Sequence, residues 1–274
     1  MNAQRRDVLQ RMGKTAALAA GLVAGVLRPT EVLAAWNHRA FDAKRLSDAL
    51  DALGVERPAA TRDILIQAPE TVDSGAFVPI EIVSTIAGTE TLALFVDRNP
   101  WPYIARFDVS RGALAYASIR VRVGESSPVR VVANAGGRQY VAVKQVNVTV
   151  GGCGDASGGD ASAALDGSQA PQPIRIRAIA AGEVASVRVL MTHPMENGLR
   201  KSGSGQPIPE HFIRSVSARL NGRTVLEAEF GRSVSANPLI GFKVKGAKAG
   251  DRLVLRWEDS KGLARTDEAS VSAS

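Results

Sequence analysis

The chain has 274 residues, 45% of them hydrophobic and 5% aromatic, a formal net charge of +7 and one cysteine. One cysteine excludes an internal disulfide, and its thiol is left either free or paired with another molecule. Dispersed basic residues and few aromatics exclude a nucleic-acid-binding surface.

The chain opens with Arg5-Arg6-Asp7-Val8-Leu9-Gln10, an apolar run from Ala16 to Leu27, and then Val32-Leu33-Ala34-Ala35. A basic region, a short apolar region and small residues at a cleavage point make an export signal. The adjacent arginines resemble the twin-arginine type, which places the mature protein in the periplasm of a bacterium. The apolar run of 12 residues is short of the roughly 20 needed to span a bilayer. No membrane segment is expected once residues 1–35 are cut after Ala35 (or Ala34). Those residues hold five basic and two acidic side chains, so about +4 remains on the mature chain. The rest is uneven, with 13 basic and 15 acidic residues over 36–170 against 16 and 10 over 171–274. That asymmetry predicts two units that attract one another, or a basic half facing anionic partners.

Phe41, Leu46, Ala49, Leu50 and Leu53 are spaced for one face of a short helix that Gly54 and Pro58 end. The period then changes to two. Strands are predicted at 64–67, 78–84, 92–96, 104–109, 118–123, 129–133 and 140–150, with turn residues between them. Residues 151–173 are small and polar, as a flexible linker is. Roughly 20 residues of coil after the cysteine span about 25 Å root-mean-square. Beyond the linker, strands are predicted at 174–179, 184–191, 212–220, 224–230, 239–244, 252–258 and 263–269. Asn221-Gly222 is a two-residue hairpin signal, because both residues tolerate positive φ. The fold class is all-β. Two immunoglobulin-like antiparallel sandwiches, 36–150 and 174–274, are expected, with a short N-terminal helix on the first.

Cys153 lies within Val148-Thr149-Val150-Gly151-Gly152-Cys153-Gly154-Asp155. A packing cysteine has larger apolar neighbours. Glycines at 151, 152 and 154 strip cover away and let the backbone turn or approach another surface closely. The expectation is a flexible arm that presents one sulfur, clear of both bodies, to something else. A linker with an incidental cysteine, and an intermolecular disulfide, are the alternatives.

The run Asn147–Gly154 resembles the Gly-Gly-Cys-Gly-Gly arm of SoxY, the sulfur-carrying subunit of the bacterial thiosulfate-oxidising Sox system. Asn99-Pro100-Trp101-Pro102 and Ser74-Gly75-Ala76-Phe77-Val78-Pro79 resemble its body. The strings Val189–Arg200, Pro209–Ile213, Asn237-Pro238, Phe242–Gly246 and Thr266–Glu268 resemble the partner subunit, SoxZ. The resemblance implies a fusion of both, each an immunoglobulin-like sandwich. It implies a carrier rather than an enzyme, with Cys153 as the covalent attachment point for sulfur and no cofactor of its own. The implied partners are a haem protein, a hydrolase and a sulfane dehydrogenase. One departure stands out: the family's cysteine rides on a free tail, whereas Cys153 is tethered at both ends, with Asp155 where the second glycine would fall. A tandem sandwich that binds or scaffolds other exported proteins is the alternative function.

Other signals are weaker. His38, His193 and His211 lie at no metal-ligand spacing, so no metal is expected, and the 193–200 loop is read as shaping the domain interface or helping to dock a partner. A catalytic thiol lacks a nearby base. Trp257 alternates with Leu255 and Leu253 as a core residue does. Trp101 is either a loop anchor or part of a contact surface.

Overall fold

The structure is a computed structural model that describes residues 36–153 and 172–274. The expected export segment with its expected cleavage point at Ala35, Gly154 and the rest of the expected linker to residue 171 lie outside the described residues. Two short helices open the fold, α1 (His38–Phe41) and α2 (Leu46–Ala52), where the sequence suggested one. The Asn37 side chain caps α1, accepting from the Ala40 N–H at 3.1 Å.

The first half contributes β1 (Ala59–Ala60), β2 (Ile64–Gln67), β3 (Thr71–Ser74), β4 (Val78–Ser84), β5 (Thr89–Val96), β6 (Tyr103–Asp108), β7 (Ala113–Val121), β8 (Ser127–Ala135) and β9 (Arg138–Val150). The second contributes β10 (Arg175–Ala181), β11 (Val184–Leu190), β12 (Ile213–Leu220), β13 (Arg223–Phe230), β14 (Leu239–Lys245), β15 (Arg252–Asp259), β16 (Ala264–Ser270) and β17 (Ser272–Ala273). Each strand expected from sequence is present, with ends moved by a few residues. Asn221 and Gly222 turn β12 into β13 with φ of 50° and 83°, the left-handed pair that a tight hairpin needs. The three strands with no sequence signal, β1, β3 and β17, are short and lie at sheet margins, where they pair in parallel with β9, β9 and β10.

Both halves are sandwiches, but their sheets do not stop at the boundary. One sheet runs β1-β9-β8-β5-β6-β13-β12-β15-β16, with β3 also on β9; the other runs β17-β10-β11-β14-β7-β4-β2. The halves therefore join edge to edge twice. β6 pairs with β13 through Ala105↔Phe230 and Phe107↔Ala228, and β7 with β14 through Ser118↔Gly241 and Ile119↔Ile240. An unpaired strand edge is a row of unmet hydrogen-bonding groups, and each half covers one edge strand of each of the other's two sheets. One core runs through the join, including Ile80, Leu94 and Phe107 from the first half and Val187, Val216, Phe242 and Trp257 from the second.

This join corrects the simple picture of oppositely charged units. Arg106–Glu229 (3.7 Å) and Arg111–Glu227 (3.8 Å) put the cation on the first half, while Arg232–Asp42 (2.7 Å) puts it on the second. Partly exposed pairs contribute about 0–1 kcal/mol each. Backbone ladders and buried apolar area outweigh net charge here.

The helices cover part of the larger sheet's outer face. Phe41 stacks between Trp36 (4.8 Å) and Tyr103 (4.2 Å), and Tyr103 stacks on Phe95 (4.9 Å). The Trp36 indole N–H donates to the Phe230 carbonyl at 2.9 Å, which ties the start of the described residues to the second half. Trp101 is an anchor, buried beneath the Lys44 ammonium 3.5 Å from its ring centre. Trp257 is core. Among the described residues no helix is long and apolar enough to cross a membrane.

Candidate functional site

The long strand β9 delivers the chain to Cys153. β3 pairs with its last turn of pleats through Thr71↔Asn147, Val72↔Val148 and Ser74↔Val150. Gly151, Gly152 and Cys153 then pass between the single 3-10 turn Gly75–Phe77 and the segment Val123-Gly124 that follows β7. The Gly152 N–H donates to the Val123 carbonyl at 2.9 Å, and the Val123 N–H donates to the Gly75 carbonyl at 2.8 Å.

The backbones meet more closely than any side chain allows. A Cβ on Gly152 would lie 2.1 Å from the Gly75 carbonyl, one on Gly151 2.1 Å from the Gly124 oxygen, and one on Gly75 2.0 Å from the Val123 oxygen. None of the three has a left-handed φ, so the glycines supply room rather than an unusual turn. The sequence reading had the arm standing clear of the body. The structure instead seats its root in a glycine-lined groove, with the thiol half-buried. A Cβ on Gly124 would come within 3.2 Å of the Cys153 Sγ.

Three polar side chains complete the seat, and of these the sequence reading assigned a role only to Asn197, within the 193–200 loop read as shaping an interface. Asn99, buried at the foot of the groove, donates to the Arg122 carbonyl (2.7 Å) and accepts from the Gly124 N–H (2.8 Å). Asn197, from the second half, donates to the Cys153 carbonyl at 2.8 Å and accepts from the Leu199 N–H at 3.0 Å. Arg122 reaches across the join, its Nη1 donating to the carbonyls of Met195 (2.7 Å), Val234 (3.0 Å) and Arg232 (3.3 Å). Met195 has φ of 51°, uncommon for a residue with a side chain. Asn99 and Asn197 fall within the family-like strings; Arg122 looks in sequence like any outward residue of a strand.

Burial pushes the Cys153 thiol up to about 11, and the nearby Arg122 charge opposes the rise. Burial also lowers Arg122, against the favourable field of Cys153 and Glu196. A thiol is nucleophilic as its thiolate, so burial in this seat disfavours the reactive form of Cys153.

The other candidates separate. His38 is on the surface, 3.4 Å from Asp42. His193 and His211 are brought together with Asp259, which the sequence did not show because 18 and 48 residues separate them. Both rings point Nε2 at Asp259 Oδ2, at 3.4 Å and 2.7 Å. The spacing admits a metal ion, but the donors fit hydrogen bonding better. His193 Nδ1 accepts the Met195 N–H at 3.1 Å, so its proton is on Nε2, aimed at Asp259. A metal-bound histidine instead donates its second N–H to an acceptor.

Burial lowers His193, against the Asp259 hydrogen bond that raises it. Burial alone would raise Asp259, but hydrogen bonds from His193, His211 and the N–H groups of Lys261 and Leu263 outweigh it and hold the carboxyl low. Both shifts make acid destabilising. From about pH 6.5 downward the unfolded chain takes up a proton that folded His193 resists, and from about pH 4 Asp259 adds its own loss. The urea midpoint is expected to be lower at pH 5 than at pH 7.5, and His193→Gln to flatten that difference. Equal midpoints in the unsubstituted protein would contradict this.

Comparison with known proteins places both halves. The family model for sulfur oxidation protein SoxY matches residues 50–153, and that for sulphur oxidation protein SoxZ matches residues 174–270. The sulfur carrier protein SoxY from Chlorobium limicola f thiosulfatophilum is similar at 36% identity, with 41% of this chain and 99% of that one covered and a TM-score of 0.36. A β-glycosidase from Bacteroides vulgatus aligns at 12% identity over 82% of this chain and 26% of its own, with a TM-score of 0.21. No curated protein matches the chain. The two family models meet across the groove that holds Cys153, and on them the chain is a SoxY–SoxZ fusion, a carrier protein of the Sox system rather than an enzyme.

Proposed function

We propose that the mature protein is a periplasmic carrier that holds thiosulfate-derived sulfur covalently on Cys153 and presents it in turn to a haem protein, a hydrolase and a sulfane dehydrogenase. The observation that carries this reading is the position of the chain's one cysteine. It ends a strand, on glycines whose contacts are backbone to backbone, so the arm can dock or lift without disturbing the core. In its seat the thiol is sheltered and protonated; lifted, it regains the acidity of a free cysteine. The export signal supports the compartment, and the match to SoxY through residue 153 supports the attachment point.

The cycle balances as follows. The Cys153 sulfur bonds to the outer sulfur of thiosulfate, losing a proton, while two electrons pass to the haem protein. Water then cleaves the bond between that sulfur and the sulfonate, releasing sulfate and leaving a persulfide. The dehydrogenase takes six electrons and adds three oxygens from water to the terminal sulfur. A second hydrolysis breaks the sulfur–sulfur bond, releasing sulfate and restoring the thiol. This chain contributes the attachment atom and the arm, and its partners perform each step. Tethering at both ends means that a partner's cleft receives a loop bounded by β9 and the fixed Ile174, whose N–H donates to Asp267 at 3.0 Å.

Intact mass measurement of the protein from thiosulfate-grown cells tests this. Sulfur or sulfonate adducts on Cys153 are the expected result. Cys153→Ala is expected to show none and to stop thiosulfate-dependent electron flow in a reconstituted system, while changing stability by about 1 kcal/mol or less. A bare thiol throughout would sink the carrier reading and leave the tandem sandwich as a binding or scaffold module.

A further inference from the structure

The smaller sheet has a dent on its outer face where the two halves meet. Its outward residues align across four strands: Arg188 of β11 faces Gly241 of β14, Gly241 faces Ser118 of β7, and Ser118 faces Glu81 of β4. Two residues along β7 from Ser118 stands Arg120, opposite Pro79. Two residues along β14 from Gly241 stands Lys243, its ammonium 4.2 Å from the centre of the Tyr116 ring. The cavity measures about 490 Å³, with Arg120, Arg188, Ser118, Tyr116, Pro79 and Leu239 in its walls.

Gly241 lies in mid-strand, where glycine is destabilising relative to alanine, and its φ is not left-handed. Space accounts for it: a Cβ there would stand 2.3 Å from the Ser118 hydroxyl oxygen. Charge at the dent is one-sided. Glu81 is the carboxylate in its wall, and it already accepts from the Tyr116 hydroxyl at 3.0 Å. Arg120, Arg188 and Lys243 have no carboxylate partner among the described residues. Two guanidiniums and a hydroxyl in the walls of one hollow, with an ammonium over the Tyr116 ring at its margin, are the donor set that a small anion with several oxygens satisfies.

We infer that this dent is a binding site for a free divalent oxyanion of the size of sulfate or phosphate, gripped by Arg120 and Arg188 over the Ser118 hydroxyl, with Lys243 beside it. β7 comes from the SoxY domain and β14 from the SoxZ domain, so the bound ion also bridges the join. The inference is independent of the carrier reading, since no residue in it belongs to the arm or its seat.

Equilibrium dialysis of the full-length protein against radiolabelled sulfate, with ionic strength held constant by chloride, tests it. One saturable equivalent per chain is expected. Arg120→Met is expected to weaken binding about tenfold or more, the size of one lost charge-assisted contact. Arg188→Met, on an exposed side chain, is expected to do the same and serves if Arg120→Met fails to fold. Uptake that does not saturate, or that chloride displaces mole for mole, overturns the inference. So does unchanged affinity in the Arg188→Met protein.

Discussion

Replacing Gly152 with alanine is expected to raise the alkylation rate of Cys153 about tenfold or more at pH 8. The new methyl group would fall 2.1 Å from the Gly75 carbonyl, where both partners are backbone and neither can yield. The arm must therefore leave its groove, with loss of the Gly152 N–H bond to Val123. Once out, the thiol drops from about 11 toward its ordinary 9.0, which at pH 8 multiplies the thiolate fraction about a hundredfold. A thiolate of lower pKa is intrinsically less nucleophilic, and that takes back about tenfold. Relief of steric cover acts in the same direction as the remaining gain. Pseudo-first-order labelling with iodoacetamide between pH 7 and about 11.5, a range that spans both midpoints, measures the shift directly. A variant that labels at the original rate, with the original midpoint, would show that the groove does not control the sulfur. Because the change is confined to the arm, thermal unfolding should move little, which separates release of the arm from general unfolding.

Arg122→Met is expected to reduce stability by about 2–5 kcal/mol, the largest loss of any substitution near the site. Its Nη1 is the shared donor for the Met195, Val234 and Arg232 carbonyls, and those acceptors lose their charged partner at the join of the two halves. Losing a partner leaves each buried group with its desolvation penalty. Methionine keeps most of the volume, so a cavity contributes little. The substitution also removes the cation that opposes the rise of the thiol. The Cys153 midpoint should therefore move further up in whatever fraction stays folded. Arg122→Lys restores the charge without the guanidinium's geometry, and should recover the thiol midpoint more fully than the stability. Urea unfolding and the pH profile of labelling, measured on both variants, distinguish the two roles. A stability loss with no change in the thiol midpoint would make Arg122 a structural strap alone.

What was legible in the chain followed from local pattern. Strand β2 reads buried-exposed-buried-exposed along Ile64–Gln67, and β4 alternates from Val78; a period of two is visible in any window of that length. Strands β1 and β3 escaped because two to four residues, mostly exposed, leave no period to see. The single helix expected from Phe41 to Leu53 became two, since Asp42 caps α1 and the chain restarts at Arg45. The cysteine and its glycines were conspicuous, but their purpose was read as distance from the body rather than contact with it. Glycine licenses both, and only the partner surface chooses between them.

By itself, the order of residues determined two all-β units in sequence, a tight turn at Asn221-Gly222, and a lone sulfur at the end of a strand. Each follows from interactions between neighbours along the chain, through backbone sterics and the alternation of apolar side chains. The tertiary structure decided that both sheets run through the boundary, that Gly152 meets Gly75, and that Gly124 meets Gly151 beside the thiol. It also gathered His193, His211 and Asp259 about one carboxylate oxygen and placed Arg122 against carbonyls of the other half. Those contacts join positions tens of residues apart, chosen by edge pairing and close packing of the whole, and no local stretch of sequence carries that information.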